Sequence, residues 1–237
     1  MPLLLGHRGA RLPNLPENTF AAFDFCLAAG CDGFEFDVRL TADSRLIVCH
    51  DSKLCSREVA QTTFEALSKA WQQKIVPRFA REFPSGVEIG VSTLESVLER
   101  YAKPAFLDIE LKTPGLEVAT LNALRQHPPQ RGYVVSSFLP EVLRTLHGLD
   151  PVVPLGLICE KPRQLKLWQE LPVAFVIPNT RIVTRDLIHE LQAATKKVIV
   201  WTVNRERDMQ RFASFGVDGI VSDDPQVMRH ALVSDVI

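Results

Sequence analysis

Short β-rich runs alternate with helix-patterned stretches along the whole chain, and this alternation restricts the fold more than any other feature. Eight candidate strands read, in order, LLLGH (3–7), GFEFDVRL (33–40), AFLDIELK (105–112), YVVSSF (133–138), VPLGLIC (153–159), VAFVIP (173–178), VIVWTVN (198–204) and GIVSD (219–223). Between them, apolar residues recur at three- and four-residue spacing, as over Thr19–Ala29, Leu94–Tyr101, Val118–Leu124, Leu187–Ala194 and Asp208–Phe215. Most strands are rich in Val, Ile, Leu and Phe, as a strand covered on both faces requires. Strand–helix–strand units in series predict parallel pairing with right-handed crossovers. Eight such units in 237 residues fit closure into an α/β barrel, whose usual length is about 250 residues. A doubly wound open sheet is the rival arrangement.

One region breaks the rhythm. Some fifty residues (41–92) separate the second strand from Leu94, and they include LIVCH (46–50) and a basic, helix-like stretch over Ala66–Arg81. They read as one βα loop extended by a hairpin and a helical insertion. No Gly/Ser/Pro-rich linker or low-complexity tract divides the chain, so residues 1–237 are expected to form one domain. Hydrophobic residues make up 46% of the chain, enough for a substantial core, and the formal net charge is −1. That balance gives no basic surface for nucleic acid. No run of about 18 apolar residues suggests a membrane span, and Leu3–Leu5 is too short for the apolar part of a signal peptide. The five cysteines are scattered without a CxxC pair, which argues against a disulfide framework or a zinc site and for a reducing cytoplasm.

The chemistry sits on two strands. In GFEFDVRL, side chains alternate across the sheet, so Phe34, Phe36 and Val38 share one face and Glu35, Asp37 and Arg39 the other. In AFLDIELK, Phe106, Ile109 and Leu111 are apolar, and Asp108, Glu110 and Lys112 lie opposite. The apolar faces suit the helical ring, which sends the charged ones to the barrel interior or mouth. Unpaired inward charges are costly. A buried salt-bridge network would satisfy them, and so would a bound cation at the C-terminal face where such barrels hold their active sites. The available ligands, Glu35, Asp37 and Glu110, are hard oxygens suited to Mg²⁺ or Ca²⁺.

His7 ends the first strand, and His50 ends the LIVCH run before Asp51. Each alone reads as a packed or surface residue. Together, near the carboxylates, they suit acid–base work near neutral pH. Arg8 and Lys112 supply fixed positive charge for phosphate oxygens. The set describes phosphoryl-ester hydrolysis better than carbonyl chemistry. Asn18 is expected to cap the first helix, Glu17 to border the site, and Gly6 and Gly9 to let the backbone pass close to a ligand.

HRGA, PENT, EFD, HD and ELK occur in this order and spacing, followed by TLESVLE (93–99), SSF (136–138), WTVN (201–204) and GVDGIVSDDP (216–225). The ordered set resembles the glycerophosphodiester phosphodiesterase family over essentially the whole chain. The resemblance implies a TIM (β/α)8 barrel, one divalent cation and hydrolysis of a glycerophosphodiester to sn-glycerol 3-phosphate and an alcohol. Glu35, Asp37 and Glu110 match the family's metal ligands, and His7 and His50 its acid–base pair. Arg8 and Lys112 match its phosphate contacts. Trp201 matches an aromatic near the glycerol or leaving-group end; a packed barrel-rim Trp is the alternative. The chain departs from the family after the HD, where SKLCSREVA (52–60) replaces the common Arg-Thr-Thr element. That departure bears on substrate preference. A lysophospholipase D-like activity and a non-catalytic barrel that binds phosphorylated ligands are the alternative readings.

Overall fold

The computed structural model describes residues 1–79 and 89–233. The eight expected strands are present as β1 (Leu3–Gly6), β2 (Gly33–Leu40), β6 (Phe106–Leu111), β7 (Tyr133–Ser137), β8 (Leu155–Cys159), β9 (Phe175–Pro178), β10 (Lys197–Val200) and β11 (Gly219–Ser222). They pair in parallel in the order β1-β11-β10-β9-β8-β7-β6-β2, and β1 also pairs with β2. The sheet is therefore a closed TIM barrel, and the open-sheet rival is excluded. Two register pairs, Leu5↔Gly33 and Gly6↔Phe34, make the β1–β2 seam.

The helices α1 (Phe20–Ala28), α4 (Leu94–Tyr101), α5 (Glu117–Gln126), α6 (Pro140–Leu149), α7 (Pro162–Leu165), α8 (Arg185–Ala193), α9 (Glu206–Ser214) and α10 (Pro225–Leu232) connect the staves. Their starts follow from capping chemistry. Thr93 and Ser96 form a reciprocal capping box at α4, Thr184 caps α8, and Asp224 caps α10 with Pro225 in the first turn. Among the described residues, no helix is long and apolar enough to cross a membrane.

The excursion after β2 contains β3 (Leu46–Val48), which pairs antiparallel with β2, and a small hairpin, β4 (Lys53–Leu54) and β5 (Arg57–Glu58). Two helices follow, α2 (Phe64–Lys74) and α3 (Val76–Phe79). Part of the helix-like stretch expected over Ala66–Arg81 therefore lies outside the described residues. The turn between β2 and β3 is built by Thr41, whose backbone N–H and hydroxyl both meet Arg45, with Ser44 in the left-handed region at φ 60°.

Two apolar cores, among others under the loops, flank the barrel wall. The larger lies between staves and helices and takes Phe34, Phe36 and Val38, as expected. Phe34 stacks on Phe23 of α1 at 4.1 Å between centroids and meets Tyr101 of α4 edge-on at 5.1 Å. The smaller core fills the barrel with one residue from most staves, including Leu5, Phe106, Val134 and Val221. Phe106 thus faces inward with Asp108, not outward with Ile109 and Leu111. Its parity along the strand places it there, and the barrel floor is an apolar layer that accepts it.

Gly33 is the tightest point far from the site. A Cβ there would lie 1.8 Å from the carbonyl oxygen of Phe106, so the β2–β6 spacing admits no side chain. Gly33→Ala is expected to destabilise the fold by about 2–4 kcal/mol, read as a lower urea midpoint. An unchanged midpoint would show that the two staves are not packed as described.

Candidate active site

β1 stops at Gly6 because the chain turns back on itself there. A Cβ on Gly6 would meet the Gly9 carbonyl oxygen at 1.8 Å and the Cys26 sulfur at 2.5 Å. Gly6 thus lets the backbone turn tightly on itself, with the Gly9 N–H donating to the Gly6 carbonyl at 3.2 Å. Arg8 follows at φ 53°, and its backbone N–H donates to Glu35 Oε2 at 3.0 Å across the β1–β2 seam.

The β2–β6 register sets Glu35 beside Asp108 and Asp37 beside Glu110. One carboxylate oxygen from each of Glu35, Asp37 and Glu110 lies within 4.8 Å of the others, and all three residues are buried. Lys112 Nζ reaches Glu110 Oε1 at 2.6 Å and Asp37 Oδ1 at 2.8 Å. Arg8 Nε lies 3.3 Å from Asp37 Oδ2, and its Nη1 donates to Glu17 Oε1 at 2.6 Å. Glu35 Oε1 is buried with no hydrogen-bond partner.

Six of the residues expected in the site line one cavity at the C-terminal ends of the staves: His7, Arg8, Glu35, His50, Glu110 and Lys112. Trp201 lines it too, edge-on to Phe138 at 5.6 Å, with its indole N–H donating to the Ile177 carbonyl at 2.9 Å. Asp37 lies behind this wall, almost wholly buried. Glu17 borders an adjoining cavity that shares His50, and its second oxygen accepts from Arg11 Nε at 2.6 Å. His50 is held over β2 by two bonds: Cys49 N–H donates to the Asp37 carbonyl at 2.9 Å, and Arg39 Nε to the His50 carbonyl at 2.8 Å. The His50 ring meets Asp51 Oδ1 through Nδ1 at 2.7 Å.

Three residues that the sequence does not assign to the site, Asn18, Asn204 and Asp223, enter it. Thr19, not Asn18, caps α1, accepting from Ala22 N–H. Asn18 instead adopts φ 59° and donates from Nδ2 to Asp37 Oδ2 at 2.8 Å. Asp223 Oδ1 lies 2.6 Å from His7 Nδ1, and Asn204 Nδ2 donates to Asp223 Oδ2 at 2.6 Å. WTVN and SDDP carry these last two, but nothing local in either motif indicates His7 as their neighbour.

The electrostatics are one-sided. Four inward carboxylates, Glu35, Asp37, Asp108 and Glu110, face two fixed cations, Arg8 and Lys112. Burial, then the Asp37 and Glu110 charges, pushes the Glu35 carboxyl well above its ordinary range. Burial likewise pushes Asp108 and Glu110 up to about 7. Burial also acts on Asp37, but Lys112 and Arg8 outweigh it and hold that group below its ordinary value. For Arg8 and Lys112, burial is outweighed by the facing carboxylates, Asp37 first, and both hold their charge more firmly than in water. Burial lowers His50.

Asp108 gives this imbalance a measurable sign. A carboxyl raised in the folded state binds its proton more tightly there than in the unfolded chain. Its contribution to stability is therefore full below the ordinary value of 3.8 and is lost as pH rises to about 7. In chelator, the stability lost between about pH 5 and pH 8 is expected to be smaller in Asp108→Asn than in the parent by of the order of 2 kcal/mol. Equal losses, from urea unfolding at each pH, would contradict the burial argument.

Comparison with known proteins gives the family. Residues 7–227 match the model of the Glycerophosphoryl diester phosphodiesterase family. A glycerophosphodiester phosphodiesterase of Bacillus altitudinis is 32% identical over 239 residues, covering 95% of this chain and 96% of that protein. One from Caldanaerobacter subterraneus subsp. tengcongensis is 30% identical over 248 residues, covering 95% and 96%. The fold is shared with a phosphodiesterase from Oleispira antarctica solved with the product sn-glycerol-3-phosphate, at 24% identity and TM-score 0.83, covering 99% of this chain and 98% of that one. With the family's match running from His7 to the last helix, the chain belongs to the glycerophosphoryl diester phosphodiesterase family.

Proposed function

We propose that this chain hydrolyses glycerophosphodiesters to sn-glycerol 3-phosphate and an alcohol, by metal-assisted acid–base catalysis with His7 and His50. The observation that carries the reading is the meeting on one cavity of both histidines, both cations and two members of the acidic cluster, Glu35 and Glu110, with Asp37 buried behind them. The family membership supports the reaction class, and the product held by the Oleispira antarctica protein agrees with it.

The donor set fits a hard dication. Three clustered carboxylates, an unpartnered buried oxygen on Glu35 and a local excess of negative charge are what such an ion would satisfy. Glu35, Asp37 and Glu110 would hold Mg²⁺ or Ca²⁺, which when bound supplies charge neutralisation and polarisation at a phosphoryl oxygen. Arg8 and Lys112 orient the phosphate; their own carboxylate partners fix both heads at the cavity wall. One histidine takes the proton of the attacking hydroxyl, from water or from the glycerol 2-hydroxyl; in the second case the alcohol leaves behind a cyclic phosphate, which water then opens to glycerol 3-phosphate. The other returns a proton to the alcohol oxygen as its bond to phosphorus breaks. Glu17 positions Arg8, and Trp201 with Phe138 offers an apolar wall for the carbon skeleton. Residues 1–237 act as one catalytic domain on this reading. The five cysteines are all free, which supports residence in a reducing cytoplasm.

An assay for released choline, run on glycerophosphocholine and on lysophosphatidylcholine, with glycerol 3-phosphate measured as the second product of the former, tests the reading. Activity on the soluble diester, its loss in EDTA and its return with Mg²⁺ or Ca²⁺ are expected. Preference for the lysophospholipid would move the assignment to lysophospholipase D chemistry, and activity untouched by chelation would remove the metal. His7→Ala and His50→Ala are each expected to lower kcat by about 10²–10⁴ with thermal midpoints near the parent's. Parent-like turnover in either variant would end the two-histidine scheme.

A further inference from the structure

The His7 ring is held from behind by a side chain that the reaction scheme does not yet use. β1 and β11 run in register to Gly6↔Ser222, so His7 and Asp223 are the next residues on adjacent staves, and the His7 N–H donates to the Ser222 carbonyl at 2.8 Å. Their side chains meet at 2.6 Å, Nδ1 to Oδ1. The other ring nitrogen, Nε2, points to the carboxylate side, 3.9 Å from Glu35 Oε2. Asp223 cannot move freely, because Asp224, the next residue, caps α10 through Gln226 N–H and Val227 N–H.

Asn204 fixes which way each proton runs. Its Oδ1 accepts from Asp223 N–H at 2.9 Å and from Ser222 Oγ at 3.2 Å. The amide nitrogen of Asn204 therefore has to face Asp223, where Nδ2 donates to Oδ2 at 2.6 Å. The remaining Asp223 oxygen has only acceptor capacity to offer His7, so the ring proton is on Nδ1 and the lone pair of the neutral ring is on Nε2. Arg11 Nη1, at 3.6 Å from Asp223 Oδ1, adds to the charge that keeps this carboxylate ionised. Burial pushes the Asp223 carboxyl up, but the His7 hydrogen bond and charge and the Asn204 amide outweigh it and bring it below the ordinary value.

We propose that Asp223, oriented by Asn204, is the positioning residue of His7: it holds the ring in the Nδ1–H form with Nε2 presented to the cavity. The inference rests on the reading of His7 as an acid–base group. A simple tie between β1 and β11 would make different demands, and one substitution separates the two. In Asp223→Asn the pinned Asn204 amide still needs an acceptor, so the new oxygen faces Asn204 and the new NH₂ faces His7. That NH₂ demands an acceptor at Nδ1 and moves the ring proton to Nε2. A tie would survive this nearly isosteric change; a tautomer lock would not.

Two readouts test it on the full chain. The first is ¹⁵N NMR of the His7 ring at about pH 8.5, above the ordinary imidazole range. The Nδ1–H form is expected in the parent and the Nε2–H form in Asp223→Asn; the same tautomer in both overturns the proposal. The second is turnover of glycerophosphocholine with Mg²⁺ present. Asp223→Asn is expected to lower kcat by about 10–10²-fold with KM within about twofold of the parent's. Adding Asn204→Ala, which frees the new amide to flip, is expected to recover part of that loss, and Asp223→Asn in a His7→Ala background to lose nothing more. Parent-like kcat in Asp223→Asn, or a further loss in the His7→Ala background, assigns Asp223 a purely structural role. Parent-like activity of His7→Ala itself would instead remove the reading of the site on which the inference rests, and the NMR result distinguishes that case.

Discussion

Mutual repulsion among carboxylates inside the barrel is the constraint around which the rest of the structure is arranged. Glu35, Asp37, Asp108 and Glu110 project from two neighbouring staves into a space largely closed to water. Like charges so placed raise one another's proton affinity and oppose the ionised state. Lys112 bridges two of them and Arg8 approaches a third oxygen, which leaves the cluster short of positive charge. A dication held by Glu35, Asp37 and Glu110, as proposed, would relieve the remainder, and the structural cost of assembling the acids would then be tied to the ion the chemistry uses.

That cost is tolerable because the acids stand on two closely packed, fully paired staves. The outer face of β2 is clamped by the Phe23, Phe34, Phe36 and Tyr101 rings, and β6 is paired along six register positions with β2. Opposite faces of one strand thus do opposite work: aromatic burial outside anchors the stave, and the anchored stave holds charge inside that would otherwise spread apart. The histidines come from two separate sources. His7 follows the last residue of a barrel stave, whereas His50 lies two residues beyond β3, the strand added antiparallel to β2. The Cys49 N–H donating to the Asp37 carbonyl and Arg39 Nε donating to the His50 carbonyl fasten that segment to the acidic stave.

Much of this was legible in the sequence, because strand alternation and helix periodicity are local properties. The eight staves and the inward parity of Glu35, Asp37 and Glu110 follow from them directly. Strand ends ran long in places: WTVN continues the apolar pattern of β10, yet the strand stops at Val200, where the chain leaves for the rim. Phe106 departs from expectation because its apolar side chain suits the outer face while its parity sends it inward. Asn18 departs because two good capping residues stand side by side and Thr19 takes the cap. The one that lost the helix took a bond to Asp37, a partner identifiable only from tertiary structure. Asp223 lies 216 positions from His7, a distance at which no periodicity carries information, and only closure of the barrel makes the two adjacent.

The seam between β1 and β2 joins the first and second staves through only two register pairs. Immediately beyond it, the Arg8 amide reaches over to Glu35 and the Arg8 head to Asp37. The ring is thus buckled by the residue that, on the proposed reading, also orients the phosphate. A substitution at Arg8 would then loosen the grip on substrate and unfasten the hoop in one stroke.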